Sequence, residues 1–105
     1  MKTSMGGFEN FLKNQYRFFN EKRKFKSYEN YLSYLKTGLK NINRSESQLL
    51  NGGIQDFYQW IARIGDLPAE NKKIKNYYDD QKVAFRAFMK YYKYINGIIQ
   101  IDFKK

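Results

Sequence analysis

The sequence predicts an all-α fold, a compact four- to five-helix bundle that ends in a short extended tail. Apolar residues recur at intervals of three, four and seven along four long segments, which is the spacing of one helix face. The only proline, Pro68, and the Gly52-Gly53 pair fall between those segments. A chain of 105 residues is one domain and can bury a core without disulfides.

The first two helices are predicted over residues 8–21 and from Ser27 to about Ile42. Ser27 is a residue type that caps helix N-termini well. Gly38 lies inside the second helix and weakens it by about 1 kcal/mol relative to alanine. We therefore expect Gly38 to allow the close approach of a neighbouring helix.

The middle of the chain is predicted to hold a short turn and a third helix. Ser45 caps the turn, which runs through Leu50, and Asn51-Gly52-Gly53 ends it. The third helix covers residues 54–64, with Trp60 off its apolar face and Gly65 just beyond its end. That apolar face is predicted to consist of Ile54, Phe57, Tyr58, Ile61 and Ala62.

The fourth helix, over residues 71–94, is the longest, and Asn96-Gly97 ends it. Apolar residues and one glutamine alternate along it by four and three in a heptad-like seam. The seam comprises Ile74, Tyr78, Gln81, Phe85, Phe88, Tyr92 and Ile95. Residues 1–97 are thus expected to form the helical bundle, and residues 98–105 a strand, a docked arm or a linker.

The residue inventory excludes several kinds of chemistry. Cysteine and histidine are both absent, so disulfides, Cys/His zinc sites, Ser-His-Asp triads and Cys-His pairs are excluded. Asp79 and Asp80 are neighbours that point about 100° apart on a helix, which does not favour a shared metal ion. No apolar run approaches the ~20 residues of a membrane span. We expect a cytoplasmic, non-enzymatic protein without a metal or cofactor and without a membrane partner.

Charge is distributed in three blocks. The net charge is +10, divided as +7 over residues 1–44, −3 over residues 45–71 and +6 over residues 72–105. Codon bias towards lysine would raise basicity everywhere, but it does not account for the acidic middle. Two basic blocks around an acidic one indicate a defined positive face and an anionic partner.

Eleven cations are the candidate phosphate contacts. Four lie between helices one and two, where loop cations can follow a phosphate backbone or complement a helix dipole. The others open helix four or form a stripe opposite its apolar seam, a pattern that also fits an ordinary solvated face. The full set is Lys22, Arg23, Lys24, Lys26, Lys72, Lys73, Lys75, Lys82, Arg86, Lys90 and Lys93.

Ten tyrosines are the other unusual feature. Exposed aromatic rings can stack on nucleic-acid bases. We favour a structural role for most of them, with packed rings and solvated hydroxyls at the edge of the core.

Two stretches resemble known DNA-binding modules. Residues 70–92, a polar turn followed by tyrosines and an alanine-aromatic helix, and residues 27–36 resemble SAM-like core-binding domains of tyrosine recombinases. They also resemble N-terminal helical modules of HNH-type restriction endonucleases. The resemblance covers about a third of the chain and implies a DNA clamp without the recombinase catalytic set, since histidine is missing. It places DNA contacts on Lys72, Lys73, Lys75, Lys82 and Arg86.

The sequence therefore predicts a non-catalytic domain that contacts a nucleic-acid backbone, with DNA favoured over RNA. The alternative is a protein-interaction module, such as a phage- or mobile-element-encoded inhibitor of a nucleic-acid enzyme. Its interface, with a protein partner or in a homodimer, would be the apolar tail: Ile98, Ile99, Ile101 and Phe103.

Overall fold

The computed structural model describes residues 2–18 and 25–99. Within them the chain forms five α-helices and a 3-10 turn, and it contains no strand. The helices are α1 (Met5–Asn14), α2 (Tyr28–Asn41), α3 (Glu46–Leu50), α4 (Ile54–Gly65) and α5 (Lys72–Ile95), and the 3-10 turn is Tyr16–Phe18. The predicted all-α bundle of four to five helices is confirmed.

Polar side chains begin the helices where the sequence predicts caps. The Ser27 hydroxyl accepts from the Glu29 backbone N–H at 3.2 Å. Ser45 accepts from the Gln48 backbone at 3.1 Å, while the Gln48 side chain accepts from the Ser45 backbone at 2.8 Å. This reciprocal capping box stabilises α3, which has only five residues.

The ends of α2 and α5 share one backbone geometry. Asn43 and Gly97 follow the two C-caps with positive φ angles of 56° and 71°. Beyond Gly97, the Ile98 N–H donates to the Lys93 carbonyl at 2.8 Å, which completes a Schellman motif. The predicted stop at Asn96-Gly97 is confirmed. Gly65 was expected to follow α4, but it is the last helical residue and Asp66 is the C-cap.

Helix α5 packs against both α2 and α4 and lies at the centre of the bundle. Gly38 permits the contact with α2, as predicted. A Cβ atom at this position would lie 2.6 Å from Cε2 of Phe85 and 3.3 Å from Cβ of Gln81. The backbone of α2 therefore rests directly on the side chains of α5.

The predicted apolar face of α4 is partly wrong. Trp60 is buried with Phe57 and Ile64, whereas Tyr58 is 50% exposed. Spacings of three and four between the buried residues still define one helix face. Gly52 makes room for the indole, because a Cβ there would lie 2.9 Å from Cη2 of Trp60.

Helix α1 ends earlier than the predicted residue 21. Its C-cap is Gln15, and the chain then enters the 3-10 turn. Departure from the helix lets the buried Tyr16 ring pack against Phe11 and Tyr31, at centroid distances of 5.7 and 5.3 Å. Aromatic packing in the core thus accompanies the end of the α-helix before Tyr16. Residues 19–21 of the predicted helix lie outside the described residues.

The start of the predicted tail contacts the domain. Ile99 packs against the core, whereas Ile98 is 54% exposed. Ile101 and Phe103 lie outside the described residues.

Candidate nucleic-acid interface

A line of basic residues forms the solvent-facing side of α5. Within residues 81–91 the positions that are not buried are Lys82, Arg86 and Lys90. The spacing of three and four residues extends this face to Lys93 in one direction and, through the acidic Asp79, to Lys75 in the other. We call this set the cationic strip: Lys75, Lys82, Arg86, Lys90 and Lys93.

Lys82 and Lys93, both in the strip, also have local structural contacts. The Lys82 ammonium lies 3.1 Å from the Asp79 carboxylate, one turn earlier. It also approaches Gly65, where a Cβ would lie 3.8 Å from Lys82 Nζ at the C-terminal end of α4. A cation is favourable there because the helix dipole is negative. Lys93 Nζ lies 5.9 Å from the centroid of the Tyr58 ring on α4.

Arg86 is the clearest solvent-directed cation of the strip. It is exposed at the middle of α5, between neighbours that are buried. Among residues 2–18 and 25–99, it takes part in no ion pair. Its charge is therefore open to a ligand.

The first turn of α5 carries three cations, which do not all point to the same side of the helix. Lys72, Lys73 and Lys75 are all exposed, and no acidic residue lies in that turn. Residues two apart on a helix point about 200° apart. Lys75 thus joins the strip, whereas Lys73 points to the opposite side.

On that opposite side lies a pocket of about 540 Å³ between α2 and the start of α5. The rings of Tyr34 and Tyr77 stand 6.0 Å apart at its wall, at an angle of 68°. Tyr77 is 42% exposed. We call this pocket the aromatic groove: Tyr34, Asn71, Lys73, Ile74, Asn76, Tyr77 and Asp80.

Aromatic contacts connect the groove to the loop between α1 and α2. The Phe25 ring stacks on Tyr34 at 5.1 Å and lies 4.7 Å from Tyr31. Phe25 is part of the basic run at residues 22–26. Its last cation, Lys26, is exposed beside this aromatic cluster, and Lys22, Arg23 and Lys24 lie outside the described residues.

Other tyrosines have the structural role that the sequence analysis favours. Tyr31 and Tyr91 are buried, and their hydroxyls accept from the backbone N–H groups of Phe25 and Ser4 at 3.0 and 3.1 Å. The pairing of Tyr34 with Tyr77 was not predicted. One signal was available, because Tyr77 and Tyr78 are adjacent and cannot both face the core of a helical bundle.

Acidic side chains do not cluster in the part of the chain that the structure describes. In residues 2–18 and 25–99, no group of three or more Asp and Glu side chains converges on a common point. None of the helices described combines the length and apolarity that a membrane crossing requires. Comparison of the chain with protein-family models, curated proteins and solved structures found no match.

Proposed function

We propose that this protein is a non-catalytic domain that binds a nucleic-acid backbone along the cationic strip. The observation that carries the proposal is the burial pattern of α5. From residue 81 to residue 91, each position left open to solvent bears a cation. On the whole face, from Lys75 to Lys93, five cations stand against one acidic residue, Asp79. An ordinary solvated helix face balances acidic and basic side chains, whereas a phosphate-binding face has a clear excess of cations.

The dimensions of the strip suit a duplex. Lys75 and Lys93 are separated by 18 residues, so the strip is about 27 Å long at 1.5 Å per residue. Consecutive base pairs rise by about 3.4 Å, so a strip aligned with the duplex axis would extend over about eight of them. From Lys82 to Lys93 its cations recur every three or four residues, about 5 Å apart along the helix. Lys75 lies seven residues before Lys82, and Asp79 occupies the position between them.

The resemblance of residues 27–36 and 70–92 to DNA-clamping modules supports the same proposal and favours DNA. It stays a prediction, as do the contacts from Lys22, Arg23 and Lys24. Lys26 and Lys72 are exposed and would extend the basic surface beyond the strip.

A salt titration of duplex binding tests the proposal. Each neutralised phosphate contributes about −0.9 to the slope of log K against log salt concentration, so contacts by four to five cations predict a slope of about −4. A mixed-sequence duplex should be measured by fluorescence anisotropy at several salt concentrations. A slope near zero, or no binding at low salt, would contradict the proposal.

A protein-interaction module remains the second candidate function, and one observation favours it. Ile98 is 54% exposed immediately after α5, while its backbone N–H is held by Lys93. An exposed isoleucine on an anchored backbone can contribute to an apolar interface. Ile98→Ser would leave the Schellman hydrogen bonds in place. Loss of a dimer in this variant, measured by size-exclusion chromatography with light scattering, would support the second candidate.

A further inference from the structure

We propose that the aromatic groove accepts an unpaired nucleobase, so that the preferred ligand is nucleic acid with a single-stranded segment. This inference rests on the proposed function and adds the form of the ligand. Tyr34 and Tyr77 are contributed by different helices, so the groove exists only because α2 packs on α5.

The groove has the size and wall chemistry of a small-ligand site. Its volume of about 540 Å³ lies within the range of about 300–1,000 Å³ common for such pockets. Tyr77 is 42% exposed, although its ring also packs edge-to-face with the Tyr34 ring. A base can stack on the flat face of one exposed aromatic ring, while a second ring at a steep angle to it forms a side wall of the groove.

The polar lining fits the edge of a base and its phosphate. Lys73 can contact the phosphate, and the side-chain amide of the exposed Asn76 can donate to and accept from the edge of a base. Asn71 also lines the groove, but its side-chain oxygen accepts from the Ile74 backbone at 3.0 Å and serves as the N-cap of α5. Lys73 and Asn76 are therefore the polar residues from which we expect ligand contacts.

Charge complementarity favours a nucleic acid over an aromatic side chain of a partner protein. Lys73 lies in the groove, and Lys72 and Lys75 are exposed in the same helical turn. These cations lie at the positive end of α5, which strengthens the attraction for an anion. A partner's aromatic ring would use the tyrosines but not this charge.

A strand can reach both the groove and the strip. Both begin in the first two turns of α5, on opposite sides of the helix. A phosphate backbone that follows the strip would pass Lys72 and bring the next nucleotide to Lys73 and Tyr77. Bases in an intact duplex stay stacked on one another, so an overhang or single strand is needed to enter the groove.

The test compares three ligands of one sequence by fluorescence anisotropy at low salt. They are a single strand, a blunt duplex and a single strand in which every base is replaced by an abasic site. Wild-type protein is expected to bind the single strand at least fivefold more tightly than the abasic strand, because stacking requires the bases. Equal affinity for these two strands would overturn the inference. It would leave the proposed function intact if both still bound with steep salt dependence.

Substitutions test whether the preference for a single strand arises in the aromatic groove. Tyr77→Leu should weaken single-strand binding about tenfold and change duplex binding less than twofold. Tyr77→Phe keeps the ring and should bind as the wild type does. Tyr58→Leu is the matched control, because Tyr58 is also a half-exposed tyrosine but lies on α4 beside Lys93.

The outcomes separate the two proposals. An equal effect of Tyr77→Leu and Tyr58→Leu on single-strand binding would overturn the base site. An absence of salt-dependent binding to all three ligands would overturn the proposed function and the inference together. The abasic comparison uses wild-type protein, so it decides the question even if Tyr77→Leu fails to fold.

Discussion

The cationic strip and the aromatic groove lie on opposite sides of the same helix and differ in how the fold produces them. Every strip residue belongs to α5, and from residue 81 to residue 91 the positions between its cations are buried. The groove depends on two helices and on the contact between Tyr34 and Tyr77. A surface on one helix survives small shifts in packing, whereas a surface shared by two helices does not.

The two surfaces also differ in chemistry. The strip offers point charges spaced along about 27 Å, which suit a sequence-independent backbone contact. The groove offers two rings and few charges, which suit a planar group. Variants that affect one surface without the other can therefore assign each ligand form to its surface.

The largest effect is expected from Gly38→Val, which should disrupt both surfaces. The new Cβ would stand 2.6 Å from Phe85 Cε2 and 3.3 Å from Ile64 Cδ1. Such overpacking costs about 3 kcal/mol of unfolding free energy, to be measured by urea denaturation. The matched control is Gly6→Val, because nothing lies within 4 Å of a Cβ at Gly6. A decrease in unfolding free energy of less than about 1 kcal/mol would show that close contact between α2 and α5 at Gly38 is not needed for stability.

The next effect concerns the strip alone. Arg86→Gln combined with Lys93→Gln should weaken duplex binding about tenfold at low salt and make the salt slope shallower by about 2, since each lost phosphate contact removes about one unit. Lys36→Gln combined with Lys40→Gln removes the same charge from two exposed positions of α2. Equal losses in the two double variants would indicate binding driven by total charge rather than by the strip.

A smaller effect is expected in the core between the two surfaces. Gln81 is 0% exposed; its Oε1 accepts from Asn41 at 2.9 Å, but its Nε2 has no partner among the described residues. Gln81→Met keeps the length of the side chain and removes the unsatisfied donor, which should raise the unfolding free energy by about 1 kcal/mol. Binding of both ligand forms should not change. Gln55→Met, at an exposed position of α4, is the control. A loss of stability in Gln81→Met would mean that the hydrogen bond from Asn41 stabilises the fold by more than the unpaired Gln81 Nε2 destabilises it.

The smallest expected effect is the coupling between the surfaces. Tyr77 and Arg86 are about 13 Å apart along the helix axis and face opposite sides. In the double variant Tyr77→Leu with Arg86→Gln, the loss of single-strand affinity should equal the product of the two single-variant losses to within about twofold. A larger deviation, measured as a double-mutant cycle by anisotropy, would show that strip and groove act as one site.

Most of the helical architecture was predictable because its determinants are local. Ser27 and Ser45 begin helices through hydrogen bonds to residues two or three positions away. The same holds for the stop at Asn96-Gly97, where the positive φ angle of Gly97 closes the helix. Periodicity likewise predicted the cations of the strip.

The errors arose where distant contacts override local pattern. Trp60 was predicted to lie off the apolar face of α4. It is buried instead, because Gly52 has no side chain and leaves room for the indole ring. Helix α1 stops at Asn14 because Tyr16 packs against Tyr31, a residue on another helix. Neither contact can be inferred from spacing alone.

The sequence by itself determined the helices, their caps and the basic character of α5, because hydrogen bonds and periodicity act over a few residues. Only the tertiary structure decided that α5 is the central helix and that the strip is its open side. It also brought Tyr34 to Tyr77, which are 43 positions apart in the chain. The physical reason is that helices pack closely only where their surfaces are complementary in shape. At Gly38 the missing side chain lets the α2 backbone contact Phe85 of α5.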